Sequence, residues 1–505
     1  MTPGICYLTG SGPGDPGLVT LRAREVIEQA EVIVYDYLCN AALLEWAPPD
    51  AEIVYAGKTA GVHSRTQDEI NALLVDRTRS GKRVVRLKGG DPFLFGRGGE
   101  EAEALAREKL RFEVIPGVSS VFAAPAYAGI PVTHREHASQ ITIFTGHEDP
   151  SGSALDYAAL ARQPGTRIML MGIERIDAIA RALLSHGADP ALPVALIRWA
   201  TTGRQQTLSG RLDGIAGQVA AAGFSAPAIA VFGPVVRLRD TLNWFESRPL
   251  FGVRIVVTRT RKQAGVLSSS LRAFGADVWE IPTIRIEEPA DRLEFGHLVQ
   301  DCHGYDWLVF TSPNGVDAFF RMFFKLYDDT RDIGGVRIAA VGPATAARIR
   351  DFHLKVDLQP AEYVAEAIVK QFQAECSVEN LRILIVRPER ARDILARELT
   401  GLGAIVDEAI AYRTVPETAD VAGGIARFRS EGADIIAFTS SSTVENFLAL
   451  KLSWPSGLKT ASIGPVTSKT MRDLGLKVDI EAHRHDIPGL VAAIRKIAAK
   501  PPHSP

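Results

Sequence analysis

The second half of this 505-residue chain repeats itself at a fixed offset, which sharply limits what it can fold into. RIVVTRT at 254–260 matches RILIVRP at 382–388, and WLVFTSPNGVDAFF at 307–320 matches IIAFTSSSTVENFL at 435–448. Arg259 to Arg387 and Phe310 to Phe438 are both 128 residues apart. RIAAVGPATAARIRDFHLKVDL at 337–358 returns as TASIGPVTSKTMRDLGLKVDI at 460–480, with Gly342 and Gly464 122 apart, so a six-residue deletion restores the register. Short apolar runs alternate with longer amphipathic ones in both copies, which predicts two similar α/β units. In each copy one strand ends in Thr-Ser and opens a helix: Thr311-Ser312 and Thr439-Ser440. Ligands of doubly wound units bind at the carboxyl ends of strands, so two such units facing each other would form a cleft. The plainer reading makes the same four residues helix N-caps.

The first half alternates in the same way. EVIVYD, RVVRL and RIMLM are separated by helical stretches such as LRAREVIEQA and EEAEALAREKL, the pattern of βα units around a largely parallel sheet. DTLNWFESRPLFG at 240–252 breaks that pattern before a fresh strand begins. At roughly 100–200 residues per domain, the length is enough for three or four domains. We expect a first half over 1–245 with subdomains of about 1–135 and 136–245, a linker at 246–251, a second half over 252–495 and a flexible tail at 496–505.

A formal charge of −2 gives no reason to expect nucleic acid or an anionic membrane as partner, so any anion site must be local. Cys6, Cys39, Cys302 and Cys376 lie too far apart for a zinc motif or a disulfide framework. No stretch reaches about 18 apolar residues and MTPGICYLTG lacks a basic leader, so the expectation is a cytoplasmic protein.

Gly12-Pro13-Gly14-Asp15-Pro16-Gly17 matches the dinucleotide fingerprint, and Asp36 follows it at 19 residues. The chemistry argues against a phosphate there. Asp15 would bring a second anion to the helix N-terminus, and the two prolines remove N–H donors. A second stretch, GKRVVRLKGGDPFLFGRGGEEAEAL at 81–105, places two glycine clusters at one strand end, which marks backbone brought close to a ligand. It has no Gly-Lys-Ser/Thr and carries Asp91, Glu100 and Glu101, so a neutral or cationic ligand such as the sulfonium S-adenosylmethionine fits better than a nucleotide. Pro116-Gly117 joins a strand to a helix that Ser119 and Ser120 can cap. Lys58, Arg65, Lys88, Arg97 and Arg135 fall on strand-end loops and together suggest a pocket for carboxylates. His134 and His137, three apart, have no third ligand in sight, so no metal is expected.

Across residues 1–245, LTGSGPGDPGLVTL, VIVYDYL, AGKTAGVHSRTQDEIN, VVRLKGGDPFLFGRGGEE, VIPGVSSVFAAPAYAGIPVTHR and FTGH follow one another as they do in uroporphyrinogen-III C-methyltransferases. Residues 252–495 resemble uroporphyrinogen-III synthase through VVTRT, VFTSPNGV, AAVGPATA, VRPER and IAFTSSSTVENF. The resemblance implies a two-domain methyltransferase, a homodimer, holding S-adenosylmethionine in a trough lined by Pro13, Gly89, Gly90, Asp91, Leu94, Ser119, Ser120, Met171 and Ala200. It implies Asp36 as the base and Lys58 as the acid, with no metal and no NAD. Two departures stand out: Ser119-Ser120 where the family has Thr-Ala or Thr-Ser, and Ala200-Thr201 where it has Gly-Thr.

For the second half the resemblance implies closure of hydroxymethylbilane with inversion of its last ring. It implies a bilobal structure with one lobe of 252–286 plus 413–495 and another of 287–412, and Thr311, Ser312, Asn314, Tyr412, Thr439 and Ser440 at the substrate. No dehydrogenase module precedes CYLTGSGPGD, so the expected end product is the dimethylated precorrin-2. Two rivals remain open at this point. One is a methyltransferase of the same fold acting on a later cobalamin precursor with an idle, tetrapyrrole-binding second half; the other is a nicotinamide oxidoreductase.

Overall fold

The structure is a computed structural model of the whole chain that describes residues 4–48, 50–57, 65–258, 261–281, 283–360, 365–391, 393–417, 420 and 423–498. It divides into two compact units, Met1–Ile281 with Ala419–Pro505, and Pro282–Thr418.

The first unit holds three sheets. Strands β1 (Ile5–Gly10), β2 (Val32–Tyr35), β3 (Glu52–Tyr55), β4 (Arg83–Lys88) and β5 (Arg111–Ile115) form an all-parallel sheet in the order β3-β2-β4-β1-β5. Val32, Ile33, Val34, Val84 and Val85 are completely buried, as expected of a sheet covered by helices on both faces. The carboxyl ends of β1 and β4 are tied by backbone bonds from Ser11 to Lys88 and between Gly12 and Gly90, so the two glycine motifs become neighbours. The next five strands are β6 (Ile141–Thr145), β7 (Thr166–Leu170), β8 (Pro193–Arg198), β9 (Gln206–Arg211) and β10 (Ala228–Phe232). They form a mixed sheet ordered β6-β7-β10-β8-β9, in which only β6 and β7 run parallel.

The expected linker is a packed connection. Glu246 accepts hydrogen bonds from Gln205, Thr207 and Arg239, and Leu250 is fully buried against β11 (Arg254–Val257) and β12 (Asp277–Glu280).

The inserted unit contains β13 (Ile284–Glu287), β14 (Trp307–Phe310), β15 (Arg337–Ala340), β16 (Arg382–Pro388) and β17 (Ile405–Pro416), ordered β13-β17-β16-β14-β15. Back in the first unit, β18 (Ile435–Phe438), β19 (Lys459–Ser462) and β20 (Ile480–Glu481) complete a parallel sheet ordered β12-β11-β18-β19-β20. The duplication is visible in both sheets: 12-11-18-19 in one corresponds to 17-16-14-15 in the other. Of the four corresponding strands in each sheet, two come from each sequence copy, so the copies are exchanged between units. The expected lobe edges at 286/287 and 412/413 need correction, because β13 pairs antiparallel with residues 413–416 and that ladder lies wholly inside the inserted unit. Among the described residues no helix is long and apolar enough to cross a membrane.

Candidate active site

The turns at the ends of β1, β4 and β5 approach so closely that only glycine fits. A Cβ on Gly10 would lie 2.5 Å from the Gly117 Cα and 2.6 Å from the Gly90 carbonyl oxygen, and one on Gly117 would lie 2.1 Å from that same oxygen. Asp91 locks the junction, accepting from the Phe93 N–H at 2.9 Å and from the Gly117 N–H at 3.0 Å. Ser119 caps the following helix, Ser120–Tyr127, through the Val121 N–H. GPGDPG is held just as firmly. Asn40 donates to the Gly14 carbonyl at 2.7 Å, the Asp15 N–H donates to Thr201 Oγ1 at 3.0 Å, and Tyr127 donates to the Asp15 carboxylate. Burial and Asp15 push the Tyr127 phenol up to about 12, so it stays a donor.

These turns line a cavity of about 1330 Å³. Pro13, Asp36, Gly89, Gly90, Asp91, Leu94, Ser119, Ser120, Met171 and Ala200 all belong to its wall. Phe95, Met171, Trp199 and Thr201, also on that wall, have positive φ without being glycine. Left-handed backbone costs an L-residue energy and persists where surrounding structure enforces it, typically at functional sites. Lys58 lies outside the described residues.

Beneath Asp36 runs a buried chain of charges. Its carboxylate accepts from the Leu38 N–H at 3.1 Å and sits 3.5 Å from the Arg86 guanidinium. Arg86 and Lys88 both reach Oε1 of fully buried Glu101, at 3.0 and 2.9 Å. Burial works against the charge on Arg86, but Glu101 and Asp36 outweigh it and hold the guanidinium above its ordinary value. Lys88 falls below its ordinary value, from burial first and then from Arg86. Cys39 packs its thiol against Asp36 and the Leu87 carbonyl, and burial raises it to about 12, which makes it an inert thiol.

The described residues of the predicted basic cluster do not come together. Of Arg65, Lys88, Arg97 and Arg135, only Lys88 lines the cavity and its charge is taken up by Glu101; Arg97 pairs with Glu100 on the surface, and Arg65 and Arg135 are exposed. The other cations on the wall are Arg175, Arg204, Arg272 and Arg427, and the last two come from beyond residue 251. The sequence held no signal for these, since lone arginines look alike until the chain is folded. His134, Glu136 and His137 bring ligand atoms within 4.8 Å of one another on an exposed turn, with the Glu136 N–H donating to His134 Nδ1.

The second-half turns resolve into caps. Ser312 Oγ accepts from the Gly315 N–H at 3.1 Å, and Ser440 Oγ from the Thr443 N–H at 3.3 Å in a capping box. Thr311 is tied to the Val386 carbonyl through both its N–H and its hydroxyl. In the inserted unit Tyr412 meets Ser312 at 3.0 Å, and its phenol is pushed up by burial despite hydrogen bonds from Ser312 and Asn314. Thr439 and Ser440 belong to the first unit.

Residues 6–216 match the model of the tetrapyrrole (corrin/porphyrin) methylases, and residues 265–492 match that of uroporphyrinogen-III synthase HemD. The porphyrin biosynthesis protein HemD of Ruminiclostridium josui is 32% identical over 98% of this chain and 99% of its own length. The chain belongs to the tetrapyrrole methylases through its first half and to the uroporphyrinogen-III synthases through its second. It is thus an enzyme with a methyltransferase half and a synthase half. The methyltransferase half is 52% identical to the S-adenosyl-L-methionine-dependent uroporphyrinogen III methyltransferase of Methanosarcina barkeri, over 48% of this chain and 95% of that one. The uroporphyrinogen-III C-methyltransferase of Bacillus subtilis is 40% identical over 71% of this chain and 74% of its own. A Thermus thermophilus uroporphyrin-III C-methyltransferase structure with S-adenosylhomocysteine covers 46% of this chain and 94% of its own at 39% identity, with a TM-score of 0.40.

Proposed function

We propose that this chain performs two consecutive steps of tetrapyrrole biosynthesis. The synthase half closes hydroxymethylbilane to uroporphyrinogen III, and the methyltransferase half methylates that macrocycle twice to give precorrin-2. The observation that carries the reading is that the turns packed together at Gly10, Gly90 and Gly117 bring Gly12, Gly90, Asp91 and Ser119 onto one cavity with Asp36. A wall in which Gly89, Gly90, Ser119, Ser120 and Ala200 stand beside the carboxylates of Asp36 and Asp91 fits an adenosyl sulfonium. When bound, S-adenosylmethionine supplies an electrophilic methyl group. Pro13, Gly89, Gly90, Asp91, Leu94, Ser119, Ser120, Met171 and Ala200 would hold it. The electron-rich pyrrole carbon attacks without a covalent enzyme intermediate, so the protein has to orient the reactants and remove one proton. Asp36, steered by Arg86, accepts that proton, and Lys58 is the proposed acid.

In the synthase half, Thr311, Ser312, Asn314, Tyr412, Thr439 and Ser440 would contact the bilane. Tyr412 stays protonated at working pH and can donate to a substrate carboxylate. We also propose a homodimer formed through the methyltransferase half, and a cytoplasmic location.

The test gives the purified chain hydroxymethylbilane and methyl-labelled S-adenosylmethionine without oxygen and identifies the products by mass and absorbance. A doubly labelled type-III macrocycle is expected. An unlabelled type-III product would remove the methyltransferase reading, and a type-I product alone would remove the synthase reading.

A further inference from the structure

The carboxylates of the macrocycle must meet cations, yet among the described residues of the predicted cluster only Lys88 reaches the cavity, and Glu101 takes up its charge. The cavity wall supplies an alternative where the β8–β9 loop meets the synthase half. Gly203 is packed so tightly there that a Cβ would lie 2.2 Å from the Asp277 nitrogen, and its carbonyl accepts from the Gly252 N–H at 3.1 Å. Next to it, the Arg204 guanidinium stacks on Trp199 at 3.5 Å. Its one ion pair among the described residues, with Glu431, is stretched to 3.9 Å. Facing the same cavity, Trp279 of β12 is only 6% exposed, and its buried indole N–H has no acceptor among the described residues. Arg427 lies 4.0 Å above that indole ring and is anchored by Asp277 and Glu431.

We propose that the synthase half completes the methyltransferase site, with Arg204 and Trp279 together binding a carboxylate side chain of the tetrapyrrole while Arg427 holds the Trp279 ring in place. A buried N–H without a partner is costly, and an arriving carboxylate would satisfy it with a charge-assisted bond. Burial and the neighbouring Arg427 hold Arg204 down at about 10 against the opposing pull of Asp277 and Glu431. The site rests on the macrocycle being the substrate of this cavity, and it makes the fusion a functional part of the methyltransferase.

The experiment uses the full-length chain with supplied uroporphyrinogen III and labelled S-adenosylmethionine, comparing Arg204→Gln and Trp279→Phe with the parent. KM for the macrocycle should rise about tenfold in each, the loss of one hydrogen bond to a charged group. KM for S-adenosylmethionine, kcat, and turnover of hydroxymethylbilane should stay within about twofold of the parent. The Kd for the unreactive uroporphyrin III, read by fluorescence, should rise with KM. Arg204→Lys should recover part of the loss, which separates charge from folding. A macrocycle KM unmoved in both Gln and Phe variants would overturn the proposal. A parent chain that binds uroporphyrin III with these dependences yet transfers no methyl would sink the reaction proposed above and leave this binding site standing.

Discussion

The cavity of the first half and the two Thr-Ser turns of the second were both marked by small residues at strand ends, and the structure holds them in different ways. In the cavity, segments from Gly12 to Ala200 that lie far apart in the chain meet, and polar groups such as Asp36 keep a face on the open volume. At Ser312 and Ser440 the hydroxyl accepts from the first turn of its own helix, a contact internal to one segment. The difference teaches that turn chemistry reports local backbone geometry, whereas a site requires several turns to converge. In the cavity that convergence is enforced by the mutual contact of Gly10, Gly90 and Gly117.

The sharpest way to test this contrast is Asp36→Asn. It should lower kcat for methyl transfer by about 10²–10⁴-fold, the range for a general base, and leave calorimetric binding of S-adenosylhomocysteine unchanged. A variant with near-normal turnover would demote Asp36 to a structural role. Next comes Glu101→Leu, which strands Arg86 and Lys88 as buried cations and should cost about 3–5 kcal/mol in denaturant unfolding. Gly117→Ala should cost about 1–3 kcal/mol through overpacking against Gly10 and Gly90, and weaken S-adenosylhomocysteine binding along with stability. Retained tight binding would show that the cofactor does not depend on the cradle. The smallest effects on stability belong to Ser312→Ala and Ser440→Ala, each expected to cost about 1 kcal/mol through the lost cap, with a several-fold rise in the KM for hydroxymethylbilane because the same hydroxyls are proposed to touch the bilane. A KM unmoved in both would leave the turns as caps alone and sharpen the contrast.

The legible parts of the molecule were those written in short stretches. The strand-turn-helix geometry of GPGDPG, the paired glycine clusters of 81–105 and the internal duplication all use local spacing, and β1 and β4 follow from them. Less was legible where the outcome depends on partners far along the chain. Lys88 was grouped with the strand-end cations of a carboxylate pocket, but the helix Gly98–Arg107 places Glu101 beneath it and takes up its charge. Arg204 and Trp279 gave no signal, because an arginine on a loop and a tryptophan in a strand acquire meaning only through what faces them. The ladder between β13 and the end of β17 joins residues more than a hundred positions apart, so the lobe edge was misplaced by a few residues.

By itself the sequence determined the α/β class, the duplication and the glycine positions where backbones touch, since periodicity and the absence of a Cβ act over a few residues. Only the tertiary structure decided which charges are neutralised, how the repeats exchange strands between sheets, and which residues of the synthase half reach the methyltransferase cavity. Those outcomes depend on distances between segments far apart in the chain, and burial, by lowering the dielectric, makes those distances matter most for charged and polar groups.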